Sequence, residues 1–196
     1  LMSIPVYGLI AYTYQRGKSL EAGIKYLVLS ATASATLLMG MAYVYSVLGS
    51  LSFAGQVDDM FWALTKTQDP QLAMALQAYI PAFAEKLTSV FGILGLGLII
   101  AAIAFKLSLA PFHKWTPDVY AGAPAPIVTF LATAAKVATI GLFVRYLLSS
   151  GAIAVQSVVT ILTVIAVLSI VVGNLLAVRQ VNLKRILGYS SIAHFG

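Results

Sequence analysis

Lys25, Lys106, His113 and Lys136 lie within or at the edge of long apolar stretches. A lysine at the centre of a membrane span costs about 2.5 to 3.5 kcal/mol on insertion scales, so it pairs with an acid, faces water or exchanges a proton. Proton exchange on nitrogen is the chemistry these four side chains offer. Other chemistry finds no footing. A metal site needs three or four ligands, whereas His113 and His194 are far apart in sequence and no acidic cluster joins them. With no cysteine, the chain has no disulfide, thiolate ligand, iron–sulfur ligation or thiol nucleophile. Gly92, Gly95 and Gly97 follow no strand and precede no Lys-Ser or Lys-Thr, so they read as helix packing, not as a nucleotide loop.

The four residues differ in how readily an ordinary role explains them. Lys25 stands six residues after Ser19, about 9 Å along a helix, close enough for its stem to carry the amine to headgroups. Glu21, four residues earlier on the same face, can also pair with it. Lys136 stands ten residues after Pro126, about 15 Å into a span of about 34 Å, which is the bilayer midplane. Its small neighbours Ala132, Thr133, Ala134 and Ala135 leave room for a partner helix or water. Lys106 depends on where its span ends. Pro111 has no N–H for the Leu107 carbonyl and its ring crowds that oxygen, so a break is expected there, with backbone oxygens free beside Lys106. His113, seven residues on, falls two turns along the same face and reads as either a packing element or a relay. Asn174 is expected to bond a neighbouring helix.

The elements that must position these residues follow from composition. Of 196 residues, 60% are apolar and 9% charged, against roughly 25% charged in soluble domains. Tyr26 to Val57, Leu87 to Phe105 and Tyr146 to Val178 carry no charge, and each meets the ~20 residues a spanning helix needs. A soluble enzyme, a secreted module and a disordered tail are excluded. The fold class is all-α: a polytopic transmembrane helix bundle with one proline-broken helix. Helices are expected at about 1–15, 20–48 with Ser19 as N-cap, 87–119 broken near 107–114, 125–148, 152–178, and from 186 onward. Residues 50–86 form the one polar excursion. Asp69-Pro70 starts a short interfacial helix there, about 70–79, with Leu72, Leu76 and Ile80 on one side and Pro81 at its end.

The net charge of +6 bears on topology, since no dense basic run suggests nucleic acid. The turns holding Arg16, Lys18, Asp118, Arg179, Lys184 and Arg185 share one side; the excursion, rich in Asp58, Asp59, Asp69 and Glu85, lies opposite. The positive-inside rule puts the first side in the cytoplasm. Residue 1 is Leu, no basic n-region or small-residue cleavage site follows it, and the sequence stops at Gly196 just as a new apolar pattern begins, so it reads as a piece of a longer protein.

At this point a specific resemblance emerges. The run from Phe105 to Pro126, Phe-Lys-Leu-Ser-Leu-Ala-Pro-Phe-His-Lys-Trp-Thr-Pro-Asp-Val-Tyr-Ala-Gly-Ala-Pro-Ala-Pro, resembles the broken-helix signature of the antiporter-like membrane subunits of respiratory complex I. Ser19 to Tyr26, Phe130 to Ala138, and Gly173 through Asn182 to His194 agree in the same order. The resemblance implies a fold of fourteen helices in two inverted five-helix units, in which lysines, histidines and waters conduct protons. This sequence would be the fifth through ninth helices, the first unit. Proton-translocating roles would then fall on Lys25 of the sixth helix, Lys106 and His113 of the broken seventh, and Lys136 of the eighth. The family's fifth-helix glutamate would precede Leu1, so Glu21 is not that residue, and the 50–86 excursion is longer than the family's usual loop.

What the family implies is a proton-pumping subunit of an NADH:quinone oxidoreductase in a bacterial inner membrane. No cofactor is expected in this chain, with FMN, iron–sulfur clusters and quinone elsewhere in the complex; the partners would be other membrane-arm subunits and the lipid bilayer, not nucleic acid. The alternatives are a multisubunit cation/proton antiporter, a membrane-bound hydrogenase arm, and a non-conducting scaffold whose lysines merely pair. The Trp115 to Pro124 wording favours complex I.

Overall fold

A computed structural model describes residues 3–13, 15, 17–49, 74, 85–150 and 152–196. The interfacial helix expected at 70–79, and all but a few residues of the 50–86 excursion, lie outside the described residues. Besides a short helical turn at 85–88, the α-helices among them are α1 (Ser3–Ile10), α2 (Gly17–Leu48), α3 (Val90–Leu107), α4 (Trp115–Gly122), α5 (Ala125–Ala132), α6 (Ala134–Ser149), α7 (Gln156–Val178) and α8 (Leu183–Phe195). Single 3-10 turns at Ala11–Thr13 and Ala152–Ala154 precede α2 and α7. No strand occurs among the described residues.

Among the described residues, four stretches are long and apolar enough to cross a bilayer: α2, α3, Ala125–Leu148 and α7. At 1.5 Å per residue, the 32 residues of α2 extend about 48 Å, beyond the ~30 Å hydrocarbon core, so α2 tilts or projects from the membrane. The centre of the bundle is α3, whose apolar window is 56% buried, against 11% for α7 and for Ala125–Leu148. Leu96, Ile99, Ile100, Ile103 and Leu107 of α3 pack with Val44 of α2, Leu147 of α6 and Val158 of α7. A second core joins Val6, Ile10, Ala22 and Tyr26 to Phe105, Trp115, Val119 and Leu131. The large apolar side chains left outward on α7, such as Val164, Val167, Val171 and Leu175, suit lipid or neighbouring helices.

Glycines set the closest approaches. A Cβ on Gly40 of α2 would lie 2.9 Å from the Gly95 oxygen and the Ile99 nitrogen of α3, so only hydrogen lets these helices cross here. On α7, a Cβ at Gly173 would meet the Ala193 nitrogen of α8 at 2.7 Å. Gly97, by contrast, has nothing within 4 Å of its missing Cβ, so it takes no part in that packing.

Several local expectations are corrected. Ser19 is not the N-cap of α2, which starts two residues earlier; it is fully buried, and its hydroxyl donates to the Ile10 carbonyl at 2.7 Å, tying α1 to α2. Asn174 is exposed and donates to Ile170 of its own helix, and makes no bond to another helix among the described residues. The stretch from Ala125 to Ser149 is interrupted at Thr133, where φ −112° and ψ −84° depart from the helix. No proline or glycine marks that point in the sequence.

Candidate functional site

The break between α3 and α4 spans Ser108 to Lys114. The chain has already left the helix at Ser108, in the left-handed region at φ 67°, before Pro111 is reached. Ser108 and Leu109 return their N–H groups to Phe105 and Ala104, closing the end of α3. Two side chains hold the irregular segment: Trp115 Nε1 donates to the Phe105 carbonyl at 3.1 Å, and Ser169 of α7 accepts the buried Ala110 N–H at 2.8 Å. Rings of Tyr26 and Phe105 flank Trp115 at 5.3 and 5.5 Å, fixing the start of α4 against α2 and α3.

Lys106 and His113 do not share a face. Seven residues bring two side chains into line only along an unbroken helix, and this one ends between them. Lys106 is exposed on the last turn of α3, with no hydrogen bond or ion pair among the described residues. His113 is 9% exposed, and its Nδ1 has no partner among them. Its ring stands 6.5 Å from that of Tyr189 on α8.

Lys136 is the most deeply buried charged residue among those described, at 2% exposure. It sits in the first turn of α6, just past the interruption at Thr133. Its ammonium donates to Ser191 Oγ of α8 at 2.8 Å and lies 4.6 Å from the Phe195 ring centroid, a cation–π distance. No carboxylate pairs with it among the described residues. Helix α8 thus faces His113 through Tyr189 and Lys136 through Ser191.

Lys25 occupies a different setting. It pairs with Glu21 at 2.6 Å, the i,i+4 partner expected from the sequence, and also with Asp118 of α4 at 3.0 Å. The other Asp118 oxygen accepts from Arg185 of α8 at 3.0 Å. One carboxylate therefore joins α2, α4 and α8 on the basic side of the bundle, and Lys184 adds a bond to the Ala123 carbonyl at 3.0 Å. The structure brings His113 and Lys136 to one helix, ties Lys25 into an ion network, and leaves Lys106 apart.

Sequence reasoning missed Ser191, Tyr120, Thr116 and Ser169. Tyr120 and Thr116 are buried on α4 with hydroxyls that make no hydrogen bond among the described residues. Polar spacing on a short helix beside a broken one was the available signal, and it is weak, because Ser, Thr and Tyr are cheap enough to occur anywhere in a membrane helix.

All 196 residues match the family model described as NADH:quinone oxidoreductase/Mrp antiporter, TM. The NADH-quinone oxidoreductase subunit N of Acinetobacter baumannii (strain AB0057) is 71% identical over the whole chain, and that of Psychrobacter arcticus (strain DSM 17307 / VKM B-2377 / 273-4) is 53% identical. The chain spans 35% of the length of each of these curated relatives. In respiratory complex I from Thermus thermophilus with bound aureothin, one chain matches at 37% identity and a TM-score of 0.72, over 98% of this chain and 36% of that one. An archaeal membrane-bound sulfane sulfur reductase matches at 30% identity and a TM-score of 0.73, over 98% of this chain and 35% of its own. With its apolar helices, the chain is a multi-pass protein of a bacterial inner membrane. It belongs to the NADH:quinone oxidoreductase/Mrp antiporter transmembrane family.

Proposed function

We propose that this chain is part of the N-type, proton-translocating membrane-arm subunit of an NADH:quinone oxidoreductase, and that Lys136 and His113 lie on its proton route. The observation that carries the reading is Lys136: a nearly inaccessible amine in a membrane span, hydrogen-bonded to a neutral hydroxyl and facing no carboxylate among the described residues. A lysine kept only for pairing would have an acid beside it, as Lys25 does. A nitrogen that gains and loses a proton against a neutral acceptor fits this surrounding better.

Lys106 and Lys25 enter the route on the resemblance. Lys25, held by Asp118 and Glu21 near the basic side, would stand at its cytoplasmic approach. The redox chemistry would belong to other subunits, which carry FMN, iron–sulfur clusters and quinone, while this chain binds no cofactor and contacts membrane-arm neighbours and lipid. The second reading, an arm subunit of a related antiporter or membrane-bound hydrogenase, draws on the equal fit to the sulfane sulfur reductase. The 71% identity to a subunit N favours the first.

Inverted membrane vesicles from cells carrying the full-length subunit test this. On NADH addition they should acidify their lumen, and Lys136→Met should lower that acidification while the complex remains assembled. Equal acidification in the variant contradicts the reading.

A further inference from the structure

The polar contact at Lys136 continues beyond Ser191. Tyr120 of α4, 1% exposed, directs its hydroxyl toward Ser191 without closing a hydrogen bond to it. One turn earlier on α4, the fully buried Thr116 hydroxyl is also unpartnered among the described residues, and three residues before that Nδ1 of His113 closes no hydrogen bond, its imidazole approaching the backbone of Pro111. The Thr116 N–H donates to the His113 carbonyl, so the backbone winds from His113 directly into α4. Buried polar atoms without partners are rare because each forfeits its hydration. Here three of them follow one another, Tyr120 and Thr116 on α4 and His113 in the break just before it, and the series runs from an imidazole toward an ammonium.

The register of α8 on α4 is set by Gly188. A Cβ there would lie 3.2 Å from Pro117 Cα and 3.6 Å from Tyr120 Cδ2, so the α8 backbone rests directly on the turn of α4 that carries the tyrosine. Ser191 is three residues further along α8, on the same face. A bulkier residue at 188 would lift Ser191 away from Tyr120.

We infer that the hydroxyls of Ser191 and Tyr120 are relay groups that pass protons between Lys136 and His113, carrying the route across α6, α8 and α4. In one passage, the Lys136 ammonium gives a proton to Ser191 Oγ, which releases its own hydroxyl proton to Tyr120 Oη. Tyr120 releases its proton through Thr116 Oγ1 to His113 Nδ1. Each hydroxyl gains one proton and loses one, Lys136 ends neutral, and His113 ends as imidazolium. The hydroxyls then rotate back before the next passage. The inference rests on the proposed proton-translocating role of Lys136.

Threonine and valine have nearly the same shape and differ in the hydroxyl, so Ser191→Thr and Ser191→Val separate relay from packing. In inverted vesicles bearing the full complex, Ser191→Thr should acidify the lumen at close to the parent rate. Ser191→Val and Tyr120→Phe should each slow it about tenfold, as roughly 1.4 kcal/mol on a proton-transfer barrier would. The inference is overturned if the threonine and valine variants acidify equally. It is also overturned if Tyr120→Phe matches the parent in a background where Lys136→Met is impaired. If Lys136→Met is itself unimpaired, the proposed function fails first.

Discussion

Ser169 accepts the backbone N–H of Ala110 at 2.8 Å while donating to Ile165 of its own helix at 2.6 Å. One hydroxyl thereby fastens the broken segment after α3 to α7. Ser169→Ala would leave the Ala110 N–H buried without an acceptor, a loss of about 1–3 kcal/mol. The purified complex carrying it should inactivate at lower temperature than the parent; an unchanged inactivation curve would show that the break is held elsewhere.

The crossing of α2 and α3 supplies a matched pair of substitutions. Gly40→Ala places a methyl 2.9 Å from two backbone atoms of α3, whereas Gly97→Ala adds one where nothing stands within 4 Å. Overpacking typically costs about 1–3 kcal/mol, so Gly40→Ala should lower thermal stability or the amount of assembled complex, and Gly97→Ala should not. Equal behaviour of the two variants would count against this crossing.

The distribution of charge predicts topology. Arg179 and Glu85 are both exposed, and these 196 residues contain no cysteine, so labelling of each variant is read against the unsubstituted parent. In whole cells, a membrane-impermeant thiol reagent should label Glu85→Cys and spare Arg179→Cys until the cells are lysed. The reverse pattern would invert the orientation.

Lys106→Ala should lower proton pumping and quinone-linked turnover while the complex still assembles, and Lys106→Arg should not restore them, because guanidinium does not release its proton. Lysine at this exposed position is not needed to satisfy any described neighbour, so a stability effect is not expected. Unchanged proton-to-electron ratios and turnover in Lys106→Ala would remove it from the route.

Much of this architecture is legible in one sequence because hydropathy has a long reach. A charge-free run of twenty residues has few fates, and Lys136, within the apolar span Ala125–Leu148, had to be costly wherever its helix packed. Contacts across helices were less legible. Glu21 with Lys25 follows from helical spacing, but Asp118 and Arg185 join them only once α4 and α8 are docked. The seven-residue spacing of Lys106 and His113 misled because periodicity assumes a continuous helix, and Ser108 ends it. Ser191 was invisible as a partner of Lys136, since a serine in a membrane helix carries no sign of which lysine it will meet.

The most direct measurement compares Lys136→Arg with Lys136→Met in vesicles driven by NADH, reading protons moved per NADH oxidised alongside the amount of assembled complex. Arginine keeps the positive charge and the ability to donate to Ser191 but does not give up its proton. If Lys136 exchanges protons, both variants should be impaired, arginine as severely as methionine. If arginine supports proton movement at the parent ratio while methionine does not, Lys136 serves as a fixed charge, and the account given for it is wrong.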